Sequence, residues 1–155
     1  MLPMHHLFSG IIFSLILLFL FPQIGLIGFL IIMLSTVLID VDHYLYYVYK
    51  KKDWSLKHAY NWFIKNKKKF LSLSRKQRNK FYTGFFFLHG IEILLILFLL
   101  GKFLSIYFYY ILIGVSFHLF LDIIYQRKIH DRLDRISIIY DFLKFKKLRF
   151  IGRKR

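Results

Sequence analysis

Asp40, Asp42 and His43 fall within four residues at the end of a long apolar run, in STVLIDVDHYLYY (35–47). No Lys or Arg precedes Lys50, so no cation near in sequence neutralises the two carboxylates. Other apolar stretches carry similar groups. His5 and His6 stand near the start, His89 and Glu92 interrupt residues 81–101, and His118 and Asp122 interrupt residues 103–126. An ionised carboxylate within an apolar span costs about 2.5–3.5 kcal/mol on insertion scales, so several together call for one explanation. Asp40 and His43 are three apart, His89 and Glu92 three apart, and His118 and Asp122 four apart. On a helix each pair shares a face. Carboxylates and imidazoles converging from facing helices are the ligand set of a metal site, and a bound cation would stabilise Asp40 and Asp42. The chain has no cysteine, which excludes disulfides and thiolate ligands. Nitrogen and oxygen ligands of this kind suit a divalent ion, zinc first, with manganese or iron as alternatives, one or two per chain.

The elements that must position these residues follow from composition. The 155 residues are 57% hydrophobic and 21% aromatic, above the usual share of a soluble domain. Apolar blocks at 7–21, 24–40, 81–101 and 103–126 each approach the ~20 residues that cross a bilayer as a helix. The expected fold is all-α, an integral membrane four-helix bundle made of two helical hairpins. MLPMHH lacks a basic leader region and no small-residue cleavage site follows, so the first block is expected to stay. The net charge of +16 is concentrated in two regions. Residues 50–80 carry twelve Lys/Arg against Asp53 alone, and residues 127–155 carry eleven against Asp131, Asp134 and Asp141. By the positive-inside bias both regions, with the N- and C-termini, face the cytoplasm of a multi-pass protein in the cell membrane. The domain reading is one membrane domain over 1–126, including the basic loop at 50–80, and a basic tail over 127–155. In that tail Leu133, Ile136, Tyr140 and Leu143 recur at helical spacing, as in an amphipathic helix lying in the membrane interface.

This topology places the ionisable groups on one side. At ~1.5 Å per residue, His89 lies ~12 Å from the cytoplasmic start of its span and His118 ~13 Å from the cytoplasmic end of its own. Asp40 precedes Lys50 by ten residues, and His6 sits at the mouth of the first span. Taken singly, His89 fits a packing residue and His118 with Asp122 a local hydrogen bond. Asp42 alone fits a group facing headgroups. Four helices with such groups at one end are not explained by packing. Tyr44, Tyr46 and Tyr47 read as an aromatic belt, His58 as solvated in the basic loop, and His130 with Asp131 as an interfacial helix surface. The basic segments read as contacts with membrane lipids through anionic headgroups. Basic residues interleave with Tyr60, Trp62 and Phe70, but no nucleic-acid-binding motif accompanies them, so nucleic acid is not the expected partner.

HHLFSG, LIDVDHY, FLHGIE and HLFLD occur in the order found in YdjM-like proteins, and over residues 5–125 the chain resembles that family. Its members are described as LexA-regulated, membrane-bound, metal-dependent hydrolases. The resemblance matches His6 and Gly10 to the family's first element and Asp40, Asp42 and His43 to its second. His89 matches the third, and His118 with Asp122 the last. His5 replaces the usual Thr, Ile39 stands where Pro precedes the Asp, and Gly90 stands where Ser often follows His89. The choice of His6 over His5 rests on the resemblance alone.

The expected function is a metal-dependent hydrolase acting on phosphoester or lipid-like substrates at the cytoplasmic membrane face. The expected metal ligands are Asp40, His43, His89, His118 and Asp122, then His6 and Asp42. Glu92 is the expected general base or the partner that orients His89. Two other classes compete: a metal-ion or proton carrier using the same ligands as a relay, and a non-enzymatic scaffold whose histidines only pack. No internal repeat is seen, and no proline interrupts residues 81–126, as a carrier's broken helices would favour.

Overall fold

The computed structural model describes residues 3–130, 134 and 136–152, so the predicted positions Asp131 and Leu133 lie outside the described residues. The chain is mostly helical. The first helix, α1 (Pro3–Leu20), ends in a 3-10 turn at Pro22–Ile24, where proline sets the entry to α2 (Gly25–Leu38). Gly25 takes φ 65°, a left-handed conformation that glycine tolerates, and so lets α2 return along α1. A two-residue break at Ile39–Asp40 leads into α3 (Val41–Lys51), and α4 (Leu56–Leu71) follows behind an N-cap at Ser55. After the short α5 (Arg75–Arg78) and β1 (Phe81–Tyr82) come α6 (Ile91–Phe103), α7 (Tyr107–His130), α8 (Ile138–Lys146) and β2 (Arg149–Phe150).

The pairs α1–α2 and α6–α7, which run antiparallel, and α2–α7, which runs parallel with Ile32 beside Gly114 and Thr36 beside His118, make the main packing contacts. Two stretches are long and apolar enough to cross a membrane, Pro22–Lys51 and Tyr107–Lys128, and a shorter apolar helix runs over Met4–Leu20. Large apolar side chains point outward along these helices, including Phe8, Phe19, Leu26, Leu95 and Phe103. The tightest approach is between α2 and α7. A Cβ on Gly114 would come within 2.5 Å of the Ile32 carbonyl oxygen, so only glycine lets the two backbones meet there. The buried apolar cluster is Ile39, Val115 and Leu119, with Leu88, Leu94, Leu97 and Ile111 packed around it. Ile39, Leu88 and Leu119 are the chain neighbours of Asp40, His89 and His118, so the core directly backs the ionisable residues.

Residues 81–101 do not form one long helix. α6 starts only at Ile91 and has 13 residues, about 20 Å at 1.5 Å per residue. Residues 83–90 are irregular, and Gly90 enters α6 in an extended conformation. The apolarity of this stretch serves the interior instead, since Phe86 is buried and stacks on His43 at 3.7 Å between ring centroids. The tail also differs from a continuous amphipathic helix. Ile136 precedes α8, in which Tyr140 and Leu143 are exposed while Asp141 and Phe145 are buried. β2 then pairs in parallel with β1, Phe81 beside Arg149 and Tyr82 beside Phe150. The tail is therefore packed back onto the start of the second hairpin.

Candidate metal centre

The antiparallel course of the helices brings one end of each to a common place. His6 lies in the first turns of α1, Asp40 at the α2–α3 break, His89 just before α6, and His118 with Asp122 in the second half of α7. His6, Asp42, His89 and His118 are fully buried, and Asp122 is 2% exposed. Six of the seven predicted ligands fall in two adjoining groups, and the seventh, Asp42, is hydrogen-bonded to two of them. His6, His118 and Asp122 each bring a ligand atom within 4.8 Å of the others, and so do Asp40, His43 and His89.

The hydrogen bonds assign the ring nitrogens of two imidazoles. His118 Nδ1 lies 2.7 Å from the Thr36 carbonyl oxygen. That oxygen only accepts, so Nδ1 donates and the lone pair of a neutral His118 is on Nε2. His89 Nδ1 donates to Asp42 Oδ2 at 3.0 Å, which leaves its lone pair on Nε2 as well. The two Nε2 atoms face each other at 3.2 Å. Two lone pairs so placed repel unless a proton or a metal ion stands between them. His6 raises the same demand: both of its ring nitrogens are buried without a hydrogen-bond partner, although Nε2 is 3.3 Å from Asp122 Oδ1. Its ring stacks on that of His118 at 3.9 Å. Buried polar groups left in this state are rare and point to a ligand.

The spacing suits a metal. His89 Nε2, His118 Nε2 and Asp40 Oδ1 form a triangle with sides of 3.2, 3.4 and 3.6 Å. Ligands at ~2.1 Å around a tetrahedral zinc stand roughly 3.4 Å apart. Asp122 Oδ2 lies 4.0 and 3.9 Å from the two Nε2 atoms, on hand as a fourth ligand. The donor set therefore fits a divalent ion.

Two predicted roles change. Asp42 stands behind the ligands: Oδ2 accepts from His89 Nδ1 and from the Leu88 backbone N–H at 3.0 Å, and Oδ1 accepts from His43 Nδ1 at 2.7 Å. With its oxygens so engaged it orients two imidazoles, the arrangement that fixes tautomer and raises basicity at a metal. Glu92 does not reach the cluster. His89 precedes α6 and is not on it, so the helical spacing that paired the two does not exist. The Glu92 carboxylate instead accepts from the Ser137 hydroxyl and the Ile138 and Ile139 backbone N–H groups at the start of α8. It satisfies donors that a helix N-terminus leaves open and is neither base nor partner of His89. His58 is also remote from the centre. It pairs with Asp53 at 2.9 Å, and Asp53 accepts from the Tyr47 hydroxyl and the Ser55 N–H as well. These bonds, Tyr47 first, hold the Asp53 carboxyl down at about 2.

Thr36 and Phe86 belong to the centre and were not predicted. A backbone carbonyl has no signature in sequence, and Phe86 sits in an apolar run that reads as membrane span. No family model matches the chain, and no curated protein or solved structure is similar to it.

Proposed function

We propose that the chain is a multi-pass membrane protein of four apolar segments whose His/Asp centre holds one or two divalent ions, zinc first, and hydrolyses a phosphoester or lipid-like substrate at the cytoplasmic face. The observation that carries the metal is the pair of Nε2 lone pairs facing at 3.2 Å, each fixed by an acceptor on the other ring nitrogen. His89, His118, Asp40 and Asp122 would hold a first ion, and His6, with Nε2 3.3 Å from Asp122 Oδ1, would join Asp122 in holding a second. A divalent ion in such a site supplies Lewis-acid polarisation of an ester oxygen and activates water near neutral pH. The chain's own part is to keep the imidazoles neutral and aimed. Thr36 and Asp42 do this by accepting from the outer nitrogens, and Ile39, Leu88 and Leu119 keep water from behind the centre.

Two features support a reaction over a relay. The centre lies at one end of the helices, and it borders a cavity of about 310 Å³ lined by Asp40, His43 and Asp122. That volume is within the lower range of small-molecule sites, ~300–1,000 Å³. The outward apolar side chains and the two long apolar stretches support the membrane setting. The basic loop and tail would then meet anionic headgroups.

The test is elemental mass spectrometry on protein purified in mild detergent. The wild type should carry one or two zinc, manganese or iron ions per chain, and Asp40→Ala and His118→Ala should lose them while keeping their helical circular dichroism. Wild-type protein that stays metal-free after reloading with each ion would refute the reading.

A further inference from the structure

The cavity beside the centre has a second polar end. Its walls come from α3, α4 and α7, and α4 contributes Asn66 and Lys67. Asn66 is 7% exposed, and its Nδ2 is buried without a hydrogen-bond partner. Lys67 places its ammonium 4.7 Å from the centroid of the Tyr125 ring. Tyr125 also lines the cavity, three residues beyond Asp122 on α7, which is about one turn or ~5 Å. Among the described residues no carboxylate pairs with Lys67. A half-buried cation one turn from a cluster that fits a metal ion suits an anion with several acceptor oxygens. The wall between them is Phe63, Ile64, Phe86 and Ala59, and the exposed Leu56 and Tyr60 mark the mouth. That wall suits hydrocarbon, and Tyr44, Thr83 and Gln126 complete the polar lining.

We infer that this cavity binds the phosphate monoester of a hydrocarbon chain, with the phosphoryl group between the His/Asp centre and Lys67 and the chain along Phe63 and Phe86. The assignment rests on the hydrolase reading and adds its substrate class. Lys67 is the residue that selects for the anionic head. The small volume admits the head and the first part of one chain, so the remainder leaves past Leu56 and Tyr60.

The test is equilibrium dialysis of hexyl phosphate against the full-length protein in phosphatidylcholine nanodiscs, first stripped of metal and then loaded with zinc. Hexyl phosphate should bind saturably to the stripped protein, where inorganic phosphate and hexanol bind more weakly, and the zinc-loaded protein should convert it with water to hexanol and inorganic phosphate. In the stripped state Lys67→Met should weaken hexyl phosphate about tenfold, the loss of one charge-assisted contact. Lys67→Arg should restore it, and Lys68→Met, exposed and outside the cavity, should bind as wild type does. Wild-type affinity in Lys67→Met, an equal loss in Lys68→Met, or inorganic phosphate binding as tightly as hexyl phosphate would each overturn the assignment. Saturable, Lys67-dependent binding with no release of hexanol from the zinc-loaded protein would remove the hydrolase and leave the binding site standing.

Discussion

Asp42 accepts three hydrogen bonds, from His43, His89 and the Leu88 backbone, and its position explains why two carboxylates stand so close in sequence. Asp40 offers an oxygen to the centre, and Asp42 aims the imidazoles that join it. Asp42→Asn removes one acceptor and adds an amide donor beside three donors, so His89 loses its fixed tautomer. Zinc affinity should fall 10–100-fold, as for other partners of metal-bound histidine, in competition with a chromogenic chelator. Unchanged affinity would show that His89 does not depend on Asp42. Glu92→Gln makes the opposite case. Its carboxylate serves the start of α8, so the variant should keep its metal and lose protection against amide hydrogen exchange over residues 137–141. Loss of metal with α8 intact would return Glu92 to the centre. The difference between the two acids was only half legible in sequence. A carboxylate without a nearby cation advertises a need for one, whereas a carboxylate that answers a helix N-terminus 45 residues later leaves no local trace.

The site depends on how closely α2 and α7 approach, because Thr36 on one orients His118 on the other. Gly114 sets that approach one turn before His118, with its missing Cβ 2.5 Å from the Ile32 carbonyl oxygen and 2.8 Å from Ser35 Cβ. Gly114→Ala must push backbone from backbone and should cost about 1–3 kcal/mol, the usual range for overpacking. The expected readout is a lower melting temperature together with a weaker Thr36–His118 contact, seen as reduced zinc occupancy. Gly10 makes a related contact: a Cβ there would overlap the hydroxyl of Thr36, which is fully buried and donates to the Met33 carbonyl. Gly10→Ala should therefore also lower the melting temperature and zinc occupancy, and a variant that matches the wild type in both would show that the α1–α2 contact does not govern the site. Helices α1, α2 and α7 were readable from their apolar runs. The start of α6 was not, because FYTGFFFLHG has a span's composition and only its contacts with His43, Asp42 and Ile136 keep it irregular. The β1–β2 pair, two residues a side, exists only through tertiary contact and was equally silent.

On the scale of the whole molecule, the irregular stretch at 83–90 bears on where the membrane lies. Non-helical backbone is tolerated at membrane depth only where protein covers it, and Gly84, Phe86, His89 and Gly90 are buried. In the proposed membrane setting, this and the 13-residue length of α6 would put the His/Asp centre close to one surface and not at the midplane. In that setting the positive-inside bias would select the surface, since residues 50–80 carry twelve Lys/Arg against one acid and follow the end of the helices that carries the centre. The turn at Pro22–Ile24 lies at the far end of α1 and α2 and holds no charge. Because the chain contains no cysteine, single cysteines report this orientation without background. In intact cells an impermeant maleimide should label Gln23→Cys, exposed in that turn, and should reach Lys76→Cys, exposed in α5, only after the inner face is opened. Labelling of Lys76→Cys from outside would turn the molecule over and place the centre, with its lysine-bearing cavity, away from cytoplasmic substrates. Labelling of both from outside would mean that the apolar segments do not all cross, and the exposed faces of α1 and α6 would then need a protein partner in place of lipid.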